Sequence, residues 1–331
     1  MNIRGYVKTV FEQEKPLKFV VSRILIRSKL CKLFIIKQKN YNLRFDPVSS
    51  SGALWINPNY YRPANVFFSD YLKKGDKVID IGANIGTVTI EASKKIGDSG
   101  KVYSIEPHPQ IYKYFIGNIR LNRLKNVKTF NFALGNKDGT IFFSNKHSDD
   151  QNSIITNKNG IKVKLKKLDD LDIKIDFLKI DTQGYESEII KYGNHKIKNS
   201  LVIQIETSPI PLYKNEKPFS YVAQQLEGLG FVLHMFNKIN SRTFKPMTIE
   251  NDIYTGLHHL LQLDCVFIKN FGEIEKMNIE KLKKLILILF YSFKSYDLVD
   301  FLICKLDKLT NKNFISDYRK LVTTQKMFKK Y

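Results

Sequence analysis

The sequence predicts an α/β protein built on a mostly parallel, doubly wound sheet, and three observations support this prediction. From Lys77 onward, apolar runs of strand length alternate with helical stretches, which is typical of a parallel sheet. The run KVIDI ends on an acid and a glycine turn, DIGANIG, after which the pattern becomes helical. The chain has 331 residues, enough for one such domain with extensions.

The predicted strands and helices follow from this alternation. The strands span residues 77–81, 101–105, 127–132, 176–181, 200–206, 230–236 and 264–269. The helices span residues 86–96, 109–122, 185–192 and 217–228. The segments GTIFFS and IKVKLKKLDDL predict two further strands in a hairpin insertion at about residues 139–166, whose long polar tip is a candidate substrate loop.

Three regions are expected along the chain. Residues 1–60 form a basic N-terminal extension, helical over residues 1–40, followed by an approach segment. Residues 61–271 form the main α/β domain, and residues 272–331 form a C-terminal helical extension. The hydrophobic fraction of 43% and the aromatic fraction of 12% are enough to fill a core, which excludes a disordered chain.

The net charge of +22 favours anionic partners such as nucleic acid, acidic lipid or acidic glycan. An AT-rich genome would also produce this abundance of Lys, Asn and Ile, so a purely compositional origin stays open. Residues 15–36 are apolar but interrupted by Arg and Lys, and are too charged to span a bilayer. They suit a basic amphipathic helix on an acidic membrane surface, although we favour the alternative of a helix that packs on its own domain.

The three cysteines indicate a reducing compartment. Cys31, Cys265 and Cys304 lie far apart and have no metal-ligand spacing. We expect a cytoplasmic protein, with peripheral association at the inner face of the membrane as the further option. No small-residue cleavage site of a secretory signal follows the apolar N-terminal segment.

The turn after the first predicted strand is suited to a bound cofactor. Gly82, Asn84 and Gly86 are residues that tolerate positive φ, and such a turn brings backbone N–H groups and a helix N-terminus close to a ligand. The spacing departs from the dinucleotide pattern G-x-G-x-x-G, because Asn84 stands where the second glycine would be. Asp80 precedes the turn and favours a cationic ammonium or sulfonium group over a phosphate.

The second predicted strand, KVYSIEP, ends on Glu106, 24 residues beyond Gly82. A carboxylate at this distance accepts hydrogen bonds from both hydroxyls of a ribose in nucleotide-binding sheets of this type. The alternative interpretation of Glu106 is a solvated acid at the end of a strand.

Four segments carry a resemblance to a known family: VIDIGANIG, VYSIEPHP, NFALGNKDG and LDDLDIKIDFLKIDTQGYESEIIKYG. Over residues 60–210 the chain resembles the FkbM family of S-adenosylmethionine-dependent methyltransferases. The resemblance implies a Rossmann-like class I methyltransferase fold, with seven strands of which one near the end of the chain is antiparallel. Where relatives commonly read KIDVEGAE this chain reads KIDTQGYE, so Gln183 replaces an acid and we assign it no role.

The resemblance also implies how S-adenosyl-L-methionine would bind. Its methionine part would lie against Asp80, Gly82, Asn84 and Gly86. Glu106 would hold the ribose, and Ala133 in the FALG segment would border the adenine.

The candidate residues for chemistry end the strands DFLKID and LVIQIE. Alternation places Lys179 and Asp181 on one face, and Asp181 is the candidate for the base, for an acceptor of the substrate hydroxyl hydrogen bond, or for a metal ligand. Its alternative role is an N-cap of the helix that begins near Tyr185. Lys179 is a candidate for catalysis or for a structural ion pair. Glu206 lies on the adjacent strand, where it would share a substrate or Mg²⁺ with Asp181; no dense acid cluster requires a metal, and we expect none.

Several further polar residues are expected to be structural or solvated. We expect His108 to be a surface histidine and Glu186 to stabilise the first turn of its helix. His147, Asp149 and Asp150 lie in the hairpin tip and are expected to be solvated.

The resemblance implies O-methylation of a sugar hydroxyl in a surface polysaccharide, a lipopolysaccharide or a related glycan. One alternative is a natural-product O-methyltransferase with a small-molecule acceptor. A nucleic-acid methyltransferase is a second alternative, supported by the charge but not by the sequence, which has no D/N/S-P-P-aromatic signature. A third is a non-catalytic, membrane-associated binding protein that uses the fold as a scaffold.

Overall fold

The computed structural model describes residues 10–11, 13, 15–60, 72–145, 152, 154–155, 159–173, 175–214, 216–244, 247, 249 and 256–324. The hairpin-tip residues His147, Asp149 and Asp150, and residues 61–71 at the start of the predicted main domain, lie outside the described residues.

The N-terminal region is less helical than predicted. Its elements are α1 (Pro16–Arg27), a short helical turn (Leu30–Leu33), β1 (Ile35–Lys37), β2 (Asn42–Arg44) and α2 (Ser49–Ile56). Helix α1 therefore ends well before residue 40, and the apolar residues that follow form an antiparallel pair of short strands, β1 with β2. The α1 helix packs on α2, where Gly52 lies against the side chain of Ile26.

The main α/β region begins at β3 and continues to the end of β13. Its elements are, in chain order, β3 (Lys77–Ile81), α3 (Thr87–Ile96), β4 (Lys101–Ile105), α4 (Pro109–Leu121), β5 (Val127–Phe130), β6 (Ala133–Leu134), β7 (Gly139–Phe143), β8 (Ile154–Ile155), β9 (Ile161–Lys166), β10 (Phe177–Ile180), α5 (Glu186–Tyr192), α6 (Asn194–Ile197), β11 (Val202–Thr207), α7 (Phe219–Gly228), β12 (Phe231–Ser241) and β13 (Leu260–Lys269).

Seven of these strands form the central sheet, in the order β12-β13-β11-β10-β3-β4-β5. The pairs from β11 through β5 are parallel, and β13 runs antiparallel to both of its neighbours. The prediction of a seven-stranded sheet with one antiparallel strand near the end of the chain is confirmed. This is the strand arrangement of the class I methyltransferase fold.

The predicted hairpin is also confirmed, because β7 pairs antiparallel with β9. The structure adds two short strands to it: β8 pairs with β7, and β6 pairs in parallel with β9. The resulting four-stranded sheet connects β5 to the rest of the chain and carries Ala133 on β6.

The C-terminal helices are α8 (Phe271–Glu275), α9 (Ile279–Ile288), α10 (Tyr296–Thr310) and α11 (Phe314–Thr324). They cover one face of the central sheet, where Leu285 and Leu302 share a buried cluster with Val102 of β4. The Lys284 ammonium also lies 2.7 Å from the carboxylate of Asp76 and 2.9 Å from that of Asp176, next to the starts of β3 and β10. These helices are therefore part of the core on which the main sheet depends.

A helix that spans a bilayer must be both long and apolar. In the described part of the chain, none of them has both the length and the apolar character that spanning a membrane needs.

Candidate active site

A cleft of about 650 Å³ opens at the carboxyl ends of the central strands. The strand order reverses at β3, which lies between β4 and β10, and ligands of open α/β sheets bind at such a point. The predicted site residues that line the cleft are Asp80, Gly82, Asn84, Glu106, Ala133, Lys179, Asp181 and Glu206. The structure therefore brings together candidates separated by up to 126 positions in the chain.

The glycine turn between β3 and α3 depends on residues that adopt positive φ. Gly82 has φ +86° and packs against the backbone carbonyl of Asp181, which leaves no space for a side chain. Asn84 has φ +49°, and its side-chain oxygen accepts a hydrogen bond of 2.7 Å from the backbone N–H of Ile85. Gly86 has φ +94° and lies against the ring of Phe115; it shapes the turn without lining the cleft. The packing of the two glycines and the hydrogen bond of Asn84 therefore fix the shape of the turn.

Glu106 is tied to this turn. Its Oε2 accepts a hydrogen bond of 2.9 Å from the backbone N–H of Asn84, and its Oε1 accepts one of 2.8 Å from the backbone N–H of His108. The side chain is buried yet lines the cleft. Glu106 is therefore not a solvated strand-end acid, and its contact with the ribose stays a prediction.

Asp80 lies below the turn and is completely buried. Its Oδ2 accepts a hydrogen bond of 2.7 Å from the Thr89 hydroxyl, while its Oδ1 has no hydrogen-bonding partner among the described residues. Burial raises the pKa of Asp80, because the ionised form loses its hydration. A cationic group in the cleft would supply the missing partner for this oxygen.

The second half of the site lies at the ends of β10 and β11. The Lys179 ammonium is 3.0 Å from Oδ2 of Asp181. The side-chain amide of Gln183 donates a hydrogen bond of 3.0 Å to Oδ1 of Asp181 and one of 2.9 Å to Oε2 of Glu206. Asp181 does not cap the following helix, whose N-cap is Tyr185. The N-cap alternative for Asp181 is therefore wrong.

The two acids of this cluster have opposite pKa shifts. Burial is the largest single effect and acts to raise the pKa of Asp181. The charge of the Lys179 ammonium and the hydrogen bonds that the carboxylate accepts outweigh it together, and the net shift is downward. The pKa of Lys179 is raised, because the carboxylates of Asp181 and Asp80 outweigh the effect of its burial. Burial and then the charge of Asp181 raise the pKa of Glu206 well above its usual value. Asp181 is thus held ionised, while the neighbouring Glu206 retains its proton more readily than a free glutamic acid does.

Gln183, which received no role from the sequence, connects this cluster. Its φ is +58°, and its side-chain oxygen accepts a hydrogen bond from the hydroxyl of Tyr213. Glu186 holds the loop in place by accepting hydrogen bonds of 2.9 Å from the backbone N–H of Thr182 and 3.1 Å from that of Gly184. Glu186 thus stabilises the loop before its helix. The signal in the sequence that could have identified Gln183 is the departure from KIDVEGAE at its position.

One wall of the cleft was missed by the sequence analysis. Strands β12 and β13 run several residues beyond their predicted bounds, and their polar side chains line the cleft: Lys238, Asn240, Arg242, Gln262 and Asp264. Asp264 pairs in register with Glu206 across the sheet. Burial, and then the charge of Asp181, raise the pKa of Asp264 to about 6.

His108 is not at the surface, contrary to the prediction. It is 4% exposed, and its Nδ1 accepts hydrogen bonds from the backbone N–H groups of Gln110 and Ile111 at the start of α4. Its position after Pro107 makes it the N-cap of this helix. It also lines the cleft, beside Glu106.

Metal ions in proteins are held by carboxylate, imidazole and thiolate side chains that converge on one point. Among the residues that the structure describes, no group of three or more His, Cys, Asp or Glu side chains is arranged to hold a metal ion.

Fold and site together define a nucleotide-cofactor site at the edge of a class I methyltransferase sheet. Residues 80–233 match the methyltransferase FkbM domain. The resemblance to this family is confirmed over these residues, and S-adenosyl-L-methionine is the cofactor.

Two curated proteins are similar to this chain over short segments. A probable cobalt-precorrin-6B C(15)-methyltransferase (decarboxylating) from Saccharolobus solfataricus is 57% identical over 35 residues, which are 11% of this chain and 18% of that protein. A protein of the same name from Sulfolobus acidocaldarius is 37% identical over 54 residues, which are 16% of this chain and 28% of that protein. The chain therefore spans less than a third of the length of both curated relatives.

Two solved structures are also similar. M. jannaschii TYW2 in complex with AdoMet has a TM-score of 0.39 and 18% identity, covering 71% of this chain and 86% of that one. Trm5b from Pyrococcus abyssi has a TM-score of 0.41 and 16% identity, covering 72% of this chain and 56% of that one. At such scores these similarities say nothing of what this protein methylates.

The residues of the cleft fit the cofactor. The unpartnered Oδ1 of buried Asp80 suits a cationic group, and the close packing of Gly82 leaves backbone rather than side chain at the turn. Glu106 is an ionisable oxygen acceptor within the same cleft. The roles of the individual residues stay predictions.

Proposed function

We propose that this protein is an O-methyltransferase that acts on a sugar hydroxyl of a surface polysaccharide, a lipopolysaccharide or a related glycan. The observation that carries the proposal is the position of ionised Asp181, which lines the same cleft as the Gly82 turn and Glu106. An acid held at this point can accept a hydrogen bond from an acceptor hydroxyl next to the cofactor.

S-adenosyl-L-methionine, when bound, supplies an electrophilic methyl group. Asp80, Gly82, Asn84, Glu106 and Ala133 would hold it. Asp80 and Ala133 lie on β3 and β6, and the other three lie in the segments that follow β3 and β4, so three parts of the sheet would hold the cofactor at its edge. Such positioning of two reactants is worth roughly 7–11 kcal/mol in well-oriented systems.

On the acceptor side, Asp181 takes up the proton of the hydroxyl, which makes its oxygen the nucleophile. Lys179, 3.0 Å away, keeps Asp181 ionised between turnovers. Gln183 fixes the orientation of the carboxylate by donating to its other oxygen. Because the pKa of Glu206 is raised, a protonated Glu206 adds little repulsion to the charge of Asp181.

The polar wall of β12 and β13 supports a sugar as the acceptor. Asn240, Gln262 and Lys238 present amide and ammonium groups to the cleft, and these suit the many hydroxyls of a glycan. Free thiols at Cys31, Cys265 and Cys304 support a reducing, cytoplasmic compartment for the reaction.

The test is transfer of a labelled methyl group to a panel of acceptors. The panel holds polysaccharide and lipopolysaccharide fractions, simple glycosides, hydroxylated natural products and RNA. Label that appears on a sugar oxygen supports the proposal. Transfer only to small natural products, or only to RNA, contradicts it and favours the corresponding alternative.

A further inference from the structure

Helix α1 has an apolar face that the other described parts of the chain do not cover. Phe19 and Ser22 are buried, and Ile26 packs against Gly52 of α2. On another face Leu17, Val21 and Ile24 are 79%, 38% and 60% exposed. Their spacing of four and three residues places them in one stripe along the helix. The helix therefore packs on its own domain, as predicted, and still presents a second apolar stripe outward.

The exposed apolar surface continues beyond the helix. Leu30 and Leu33 of the following turn are 51% and 79% exposed, and Ile35 of β1 is 50% exposed. Single apolar side chains on a protein surface are ordinary, but these six lie within 19 consecutive residues, and such a concentration favours an interaction site. The exposed residues Leu17, Val21, Ile24, Leu30, Leu33 and Ile35, with the exposed basic residues between residues 18 and 39, are called the N-terminal surface below.

This surface carries charge of one sign only. From residue 15 to residue 45 the sequence contains nine Lys or Arg residues and no Asp or Glu. The exposed ones on the N-terminal surface are Lys18, Arg23, Arg27, Lys29, Lys32, Lys37 and Lys39. Local acids therefore do not neutralise the positive charge.

We propose that the N-terminal surface docks the protein on an anionic lipid bilayer. Basic side chains near such a bilayer are attracted to its negative surface potential, and aliphatic side chains between them enter the boundary of headgroups and acyl chains. A nucleic acid would use the same charges but has no place for exposed Leu17, Ile24 and Leu33, since single strands are held by stacking on aromatic rings. Phe34 is the aromatic residue exposed among them, at 41%, and its ring already packs edge-on against Trp55. The mixture of aliphatic and basic residues therefore selects the bilayer.

The docked surface is connected to the cleft through α2. Ser50 of α2 lines the cleft, and its hydroxyl is 3.3 Å from the side-chain oxygen of Asn84. Docking would thus place the cleft close to the bilayer surface. The inference does not depend on the proposed acceptor, because lipid binding can be measured without methyl transfer.

The test is co-sedimentation of the full chain with vesicles. One set is phosphatidylcholine alone, and the other contains phosphatidylglycerol at roughly a third of the lipid. We expect the protein to bind the anionic vesicles at least tenfold better, with affinity that falls as salt is added. The double variant K18E/K32E should lose at least tenfold in partitioning, and I24S/L33S should lose severalfold at unchanged charge.

A matched control separates the N-terminal surface from net charge. Lys162 and Lys164 are exposed on β9, and K162E/K164E changes the total charge by the same amount as K18E/K32E. It should bind vesicles much as the unmodified chain does. All variants are first compared by thermal unfolding and by S-adenosylhomocysteine affinity, which should not change.

Three results would overturn the inference. The first is equal binding to neutral and anionic vesicles, or binding to neither. The second is that K162E/K164E loses as much vesicle binding as K18E/K32E does, which would make the attraction a property of the net charge of the whole chain. The third is that the unmodified protein binds an oligonucleotide tightly and does not bind vesicles, and that I24S/L33S binds the oligonucleotide equally well. This result would assign the surface to nucleic acid.

Discussion

Gly82 packs directly against the backbone carbonyl of Asp181. The turn expected to hold the cofactor therefore touches the strand end that carries the candidate base. The two residues lie 99 positions apart in the chain, each directly after one of two adjacent parallel strands. This contact sets the distance between the two halves of the site, because neither backbone can move without the other.

Replacing Gly82 with alanine should disrupt the site. The added Cβ would collide with backbone, and the φ of +86° is strained for any residue with a side chain. We expect at least a tenfold loss of S-adenosylhomocysteine affinity in calorimetry, together with a lower melting temperature. The control is Gly228→Ala on α7, where no atom lies within 4 Å of the new Cβ. Unchanged affinity of Gly82→Ala would show that the turn does not bind the cofactor.

Replacing Asp181 with asparagine should separate chemistry from cofactor binding. The variant keeps the shape of the side chain but cannot take up a proton, so turnover should fall by about 10²–10⁴ with cofactor affinity unchanged. Asp176→Asn is the control, since Asp176 lies just before the start of the same strand and pairs with Lys284. A fully active Asp181→Asn enzyme would remove Asp181 from the proposed mechanism.

Replacing Gln183 with glutamate should change the dependence of turnover on pH. The variant loses the amide that donates to Asp181 and Glu206 and places a third carboxylate beside them. Activity should then require an additional proton, so the pH optimum should move downward and kcat should fall at least tenfold on the alkaline side. Gln224→Glu, on the exposed face of α7, provides the same change of charge away from the cleft. Equal pH profiles for the two variants would contradict the bridging role of Gln183.

Glu186 should make the folded state less stable as the pH rises. Burial raises the pKa of Glu186 from 4.5 to about 7, so between these values the folded chain holds a proton that the unfolded chain has released. Its contribution to the free energy of unfolding is therefore present below pH 4.5 and is lost by about pH 7, a change on the order of 3 kcal/mol.

The measurement is urea unfolding of the unmodified chain and of Glu186→Gln at about pH 5 and about pH 8. The difference between the two proteins should change with pH by an amount of this order. The comparison isolates Glu186 from other acids that titrate in the same range. A difference that is constant over pH would show that Glu186 has an ordinary pKa in the folded state.

Local signals in the sequence were enough for the parallel strands and the turn. The strand predicted at residues 77–81 is observed as Lys77–Ile81, and the acids Glu106 and Asp181 follow the strands that were expected to end beside them. Apolar runs that are buried on both faces are distinctive, and their carboxyl ends meet at one edge by the rules of parallel sheets.

Features that depend on distant contacts were not visible in the sequence. The outer parts of β12 and β13 read as polar, because their side chains line the cleft, and only their mutual pairing makes them strands. His108 looked like a surface residue because nothing in EPHP shows that its ring caps α4. The contact of Tyr213 with Gln183 joins two loops that only the fold brings together.

The central claim is that the cleft holds S-adenosyl-L-methionine with Glu106 at its ribose, and calorimetry with S-adenosylhomocysteine tests it most directly. The account predicts that the unmodified protein binds one equivalent. It also predicts that Glu106→Ala binds at least about tenfold more weakly, because hydrogen bonds to a charged acceptor are worth about 1.5–3 kcal/mol each. The exposed acid Glu227, replaced by alanine, should leave the affinity unchanged. Absence of binding by the unmodified protein, or equal affinity of Glu106→Ala, would contradict the account.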